Sequence, residues 1–125
     1  MLFRSAKHGI AIAGYVIQIG TVRLGDAERD MTFTEQSPVR CPNKKVSDMM
    51  EKEIVQARVD HDSVGGIAEV TVSGVPAGLG EPVFDKLSAD LAKGIMSIGT
   101  IKGVEIGNGF AAGALRGSEI GRAHV

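Results

Sequence analysis

Aromatic side chains are scarce in this 125-residue chain, which has no tryptophan, one tyrosine and four phenylalanines. Stacking platforms for bases and the aromatic anchors of tight protein interfaces are therefore few. Cysteine is nearly absent as well. Cys41 stands alone, so no internal disulfide can form, which fits a reducing compartment. An excess of one charge is also missing: 14 Lys and Arg meet 15 Asp and Glu, mixed along the chain. No basic face is thus offered to nucleic acid or to an anionic membrane. No apolar run approaches the roughly 18 residues of a membrane span, and no secretory leader is visible. The expectation is a soluble cytoplasmic protein.

What is abundant is glycine, with 17 residues. Glycine serves backbone geometry, in turns, bulges and close approaches of one segment to another. The 43% hydrophobic and 23% charged content is ordinary for a globular protein, and the length suits one domain at most.

The two ends share an unusual relationship. Leu2-Phe3-Arg4-Ser5 can be encoded CTC TTC CGA TCT, whose reverse complement, read from its third base, begins Ile-Gly-Arg-Ala. That is the sequence at 120–123. Read-through of a sequencing-library adapter on both sides explains this, so residues 1–5 and 120–125 are expected to be non-biological and 6–119 to be a partial domain. His124 then carries no functional weight.

Between the ends, hydrophobic patterning sets out the elements. Gly9 to Gly20 is apolar and β-branched and reads as a strand, with a bulge expected at Gly14. Residues 21–42 are mixed, contain Pro38 and Pro42, and read as a connecting loop. Asn43 is placed to cap a helix running to about Val59, with Val46, Met50, Ile54 and Ala57 as its apolar stripe. After Asp60-His61-Asp62-Ser63 comes a second strand. Its Ala68, Val70 and Val72 predict a buried face, alternating with Glu69, Thr71 and Ser73. A glycine-proline loop, Val75 to Pro82, precedes a helix carrying Phe84, Leu87, Leu91, Ile95 and Ile98, with Pro82 as its first residue. A third strand is expected from Ile101 to Ile106, ended by Gly107-Asn108-Gly109. The order β-α-β-α-β could build a parallel sheet, but the polar face of the second strand favours α+β with an open-faced sheet.

Spacing alone supports no chemistry. His8, His61, His124 and Cys41 form no metal-ligand pattern. His61, between Asp60 and Asp62, reads as the polar cap at a helix end rather than as a ligand or base. Gly78-Leu79-Gly80 reads as a tight turn, because it lacks the Gly-Lys-Ser/Thr ending of a P-loop and the spacing of a dinucleotide fingerprint. Cys41 has no neighbouring histidine and reads as an inert thiol. No pair of carboxylates stands out as acid and base.

The longer words are informative where spacing is not. Asp62-Ser63-Val64-Gly65-Gly66 is followed by Gly74-Val75-Pro76-Ala77-Gly78-Leu79-Gly80-Glu81-Pro82-Val83-Phe84-Asp85-Lys86-Leu87. Then come Met96-Ser97-Ile98, Lys102-Gly103-Val104-Glu105-Ile106-Gly107, Gly109-Phe110 and Arg116-Gly117-Ser118-Glu119. In order and spacing these resemble the chorismate synthase family, over about residues 8–119. Gly14-Tyr15, Gln18-Ile19-Gly20 and Cys41-Pro42 match it too.

The resemblance implies a fold of helices between antiparallel sheets, usually a homotetramer. It implies the 1,4-anti elimination of phosphate from 5-enolpyruvylshikimate 3-phosphate to give chorismate, a step of aromatic amino acid biosynthesis. Reduced FMN is the implied cofactor, with NADP beside it among the family's nucleotides. Gly99 and Thr100 lie at a family flavin contact, where many members have Asn-Ala or Pro-Ala. Glycine there would keep a backbone contact and lose an amide side chain. Their other role is to turn the chain between helix and strand. The family's Gly-Glu-Ser-His-Gly, Ser-Ala-Arg and Lys-Pro-Thr-Ser segments do not occur in these residues. His8 and His61 match none of its catalytic histidines. No catalytic residue and no metal ligand is therefore assigned, and the chain alone is expected to be inactive. The rival reading is a non-enzymatic α+β module that oligomerises or binds a partner.

Overall fold

A computed structural model describes residues 7–80 and 83–120. The chain divides into two units, Met1–Gly74 and Val75–Val125.

The first unit holds a three-stranded antiparallel sheet in the order β2-β1-β3. Strand β1 (Ala11–Ile19) turns at Gly20-Thr21 into the two-residue β2 (Val22–Arg23) and pairs on its other side with β3 (Gly66–Ser73). The β1–β3 register runs from Ala11 opposite Ser73 to Ile19 opposite Gly66. The irregularity lies between Val16 and Gln18, not at Gly14, which stays in register opposite Val70. The Val16 amide donates to the Arg40 carbonyl (2.9 Å) outside the sheet, beside the irregularity, while the Leu24 amide to the Ile17 carbonyl (2.8 Å) extends the β1–β2 register by one pair.

The segment expected to be a plain loop contains β2 and one helical turn, α1 (Met31–Thr34). Asp30 caps that turn, its carboxylate accepting from the Thr32 and Phe33 amides. Helix α2 (Lys44–Val59) starts where Asn43 predicts. The Asn43 side-chain oxygen accepts from the Val46 amide (3.1 Å), while its amide nitrogen donates to the Glu28 carbonyl (3.0 Å). One residue thus starts the helix and ties down the preceding loop.

The core lies between α2 and the β1–β2 side of the sheet. Leu24, Cys41 and Met50 are buried at its centre, and Val16, Ile17, Ile19, Val22, Ala27, Val39 and Val46 pack around them. The expected α2 stripe is present, with Met50 fully buried and Val46, Ile54 and Ala57 half-buried. The buried face expected on β3 is not. Val70 is 59% exposed and Val72 45%, since α2 covers only the other end of the sheet.

In the second unit, α3 (Leu87–Met96) begins later than the apolar spacing implied. Phe84 lies outside it and is 90% exposed, and the role given to Pro82 falls outside the described residues. Gly80 has φ +74°, and its carbonyl accepts from the Leu87 amide (3.3 Å). A Cβ at Gly80 would collide with the Leu87 backbone, so this close approach requires glycine. Residues 101–106 form no strand. A strand exists only against a partner, and among the described residues none pairs with this segment. A 3-10 helix, Gly109–Ala114, follows. The architecture is α+β, with an antiparallel sheet rather than the parallel alternative. No helix among the described residues is long and apolar enough to cross a membrane.

Candidate functional site

Gly99 and Thr100 occupy the turn that leaves α3. The helix ends through successive bonds: the Ser97 hydroxyl donates to the Gly94 carbonyl (2.6 Å), Ile98 N to Ile95 (3.0 Å) and Ile101 N to Ile98 (3.3 Å). Inside that last turn Thr100 is left-handed, with φ +74°. A β-branched residue there is strained, at a cost of about 1–3 kcal/mol, and such strain concentrates at functional sites. Both residues are exposed. A Cβ placed on Gly99 would meet no atom within 4 Å, so the backbone there can be approached closely by a flat ligand.

The other sequence candidates each have their own local surroundings. His61 is exposed with φ +54° just past α2, and its amide donates to the Arg58 carbonyl (3.1 Å). That is the geometry of a helix-terminating residue. Gly78 (φ +94°) and Gly80 make a tight turn whose Gly80 carbonyl already accepts from Leu87, the first amide of α3 (3.3 Å), so that amide is not free for an anion. Cys41 is a free thiol, fully buried. Burial pushes its pKa up, against a smaller opposing hydrogen bond from the Asn43 backbone, so the nucleophilic thiolate is disfavoured. Among the described residues no three His, Cys, Asp or Glu side chains come close enough to hold a metal.

Two polar clusters escaped the sequence reading. Tyr15, on β1, is buried, and its phenol donates to the carboxylate of Glu69 directly opposite on β3. Arg29 reaches over the Tyr15 ring at 5.6 Å and donates to the phenol oxygen (3.2 Å) and to Glu69 (3.3 Å). Burial, then the Glu69 carboxylate, raises the Tyr15 pKa, with Arg29 opposing. In the second cluster Ser37 Oγ accepts from the Cys41 amide (3.0 Å) and the Val39 amide (3.3 Å) and meets Ser47 Oγ. Cross-strand pairing could have been inferred for Tyr15 and Glu69 once the register was known, but nothing in the sequence marks Arg29 or Ser37. Both clusters sit within the first unit and hold its loops to the sheet and helix.

Comparison with known proteins gives one consistent result. A family model described as chorismate synthase matches residues 2–124. The chorismate synthase of Methanosarcina acetivorans is 47% identical over 117 residues, which cover 92% of this chain and 32% of the relative. That of Chloroflexus aurantiacus is 50% identical over 115 residues, covering 91% of this chain and 31% of the relative. A solved structure described as the crystal structure of chorismate synthase superposes with a TM-score of 0.83 at 30% identity, over 94% of this chain and 39% of the other. The chain spans about a third of the length of the curated relatives it matches.

Proposed function

This chain belongs to the chorismate synthase family, and on that premise we propose that it works as part of a chorismate synthase of full family length. The reaction is the 1,4-anti elimination of phosphate and a ring proton from 5-enolpyruvylshikimate 3-phosphate, giving chorismate. The observation that carries this reading is the family match along nearly the whole chain, at close to half identity with its relatives. Homotetrameric assembly, a cytoplasmic location and a link to NADP belong to the same reading. So does the assignment of residues 1–5 and 120–125 to adapter sequence, which re-amplification from the source DNA tests.

Gly99 and Thr100 are the residues of this chain assigned to the flavin. The open approach to Gly99 and the strained, exposed Thr100 suit a contact through backbone atoms, which does not need the amide side chain other members carry. Bound reduced FMN would lend an electron to the reacting ring and recover it, so it is not consumed. What these residues would contribute is position, through the backbone of the turn after α3.

The test has two arms. This chain alone, given 5-enolpyruvylshikimate 3-phosphate and reduced FMN, is expected to release no phosphate above buffer, and family-like turnover would overturn the fragment reading. In a protein of full family length, Gly99→Val should weaken FMN binding by about tenfold or more, equivalent to about 1.4 kcal/mol, with the unfolding midpoint unchanged. Unaltered flavin affinity would remove Gly99 from the site.

A further inference from the structure

Asn108-Gly109 lies in the turn between the irregular 101–106 segment and the 3-10 helix. Asn108 is exposed, and its side chain makes no capping hydrogen bond to the helix that follows. Its carboxamide therefore stands open to water beside the one residue type that leaves the next backbone nitrogen unshielded by a Cβ. Two features restrain that nitrogen. The Gly109 amide donates to the Ile106 carbonyl at 3.1 Å. The Glu105 carboxylate also lies against Gly109, so close that a Cβ there would fall 2.6 Å from its Oε2.

We propose that Asn108 is a site of spontaneous deamidation whose rate is governed by this turn. The Gly109 amide nitrogen loses its proton and attacks Asn108 Cγ. The new N–Cγ bond forms, the Cγ–Nδ2 bond breaks and ammonia leaves with the proton. Water then opens the five-membered imide at either carbonyl, giving aspartate or isoaspartate, with no change of oxidation state. The Ile106 carbonyl holds the proton that must leave, and Asn108, at φ −76° and ψ −5°, is held in the helical conformation of that turn. The Glu105 charge opposes formation of the amide anion. Reaction thus requires the turn to open locally. The product places a new negative charge beside Glu105, and in the isoaspartyl form an extra methylene in the backbone, within the Lys102–Phe110 motif.

The test follows isoaspartate and the accompanying mass change by peptide mapping of the whole chain in mildly alkaline buffer. A synthetic peptide of residues 104–113 serves as the unstructured reference. Isoaspartate at 108 is expected in both, about tenfold or more slower in the chain, with the difference abolished by denaturant, as local opening requires. Glu105→Gln should speed the folded chain more than it speeds the peptide, and Asn108→Gln should stop the reaction. Equal rates in chain and peptide would overturn the role given to the turn. A chain that stays unmodified at 108 in denaturant, while the peptide converts, would overturn the site itself.

Discussion

The hydroxyl oxygens of Ser37 and Ser47 lie 2.7 Å apart, in space from which solvent is excluded. Because Ser37 Oγ already accepts from two backbone amides, its own proton is the one directed at Ser47. The loop before Cys41 and the first turn of α2 are thereby joined through a single proton.

That arrangement makes the two serines unequal. Ser47→Ala leaves one buried hydroxyl without an acceptor and should cost about 1–3 kcal/mol. Ser37→Ala leaves the Val39 and Cys41 amides without their acceptor, so its cost should be the larger of the two. Urea unfolding of both variants measures the order, and the reverse order would contradict the role of Ser37 as acceptor for the two amides.

Gly20 and Gly25 share a φ of +54° and differ in surroundings. A Cβ on Gly25 meets nothing within 4 Å, so Gly25→Ala should cost only the left-handed penalty of about 1–2 kcal/mol. A Cβ on Gly20 would strike the Glu53 side chain and come within 2.8 Å of Val64 Cγ2. It would also disturb the bonds from the Thr21 amide and hydroxyl to Glu53 (both 3.3 Å). Gly20→Ala should therefore destabilise clearly more. Equal unfolding midpoints for the two variants would refute the close packing of the β1–β2 turn on α2.

Tyr15 gives an alkaline signature. Its pKa is raised above the ordinary 10.0, first by burial and then by the Glu69 carboxylate. A raised folded-state value means that its contribution to stability is complete below the unfolded value. It is lost as the pH climbs through the folded one. Stability should therefore fall above about pH 10, and Tyr15→Phe should remove that part of the decline. Since the chain has one tyrosine and no tryptophan, tyrosinate absorbance reports this group alone. A midpoint at or below the ordinary value would show that Arg29 outweighs both burial and Glu69.

The uneven core predicts uneven sensitivity. Met50 has no exposure at all, so Met50→Ala should cost about 2–5 kcal/mol. Val70 is equally apolar but open to solvent, and Val70→Thr should stay within about 0.5 kcal/mol. Comparable losses at the two sites, read from urea midpoints, would mean that the β3 face is covered in solution.

Legibility in the sequence followed the range of the interactions. Helix α2 was readable because its cap, stripe and terminating His61 are all local. The α+β class was readable from the alternation in β3, although its burial was not. Burial depends on what lies across the face, and periodicity cannot say that. Strand β2, two residues long, and α1, a single turn, are too short to set up a period. The position of the bulge escaped because what lies beside it, the Val16 amide bound to the distant Arg40 carbonyl, is a long-range contact. The segment 101–106 had the pattern of a strand and lacked the neighbour that makes one. For the proposed site, Gly99 and Thr100 were reachable only through family words. The strain at Thr100 is a backbone fact with no counterpart in side-chain chemistry.

The double engagement of Asn43 has a bearing on how this position can drift. Serine, threonine and aspartate all start helices well, yet none can both accept from Val46 and donate an N–H to the Glu28 carbonyl. A survey of tolerated replacements at 43 should therefore discriminate among residues that a helix-start preference treats as equals. The requirement for an amide there comes from the strap of chain behind the helix, and the helix only shares it.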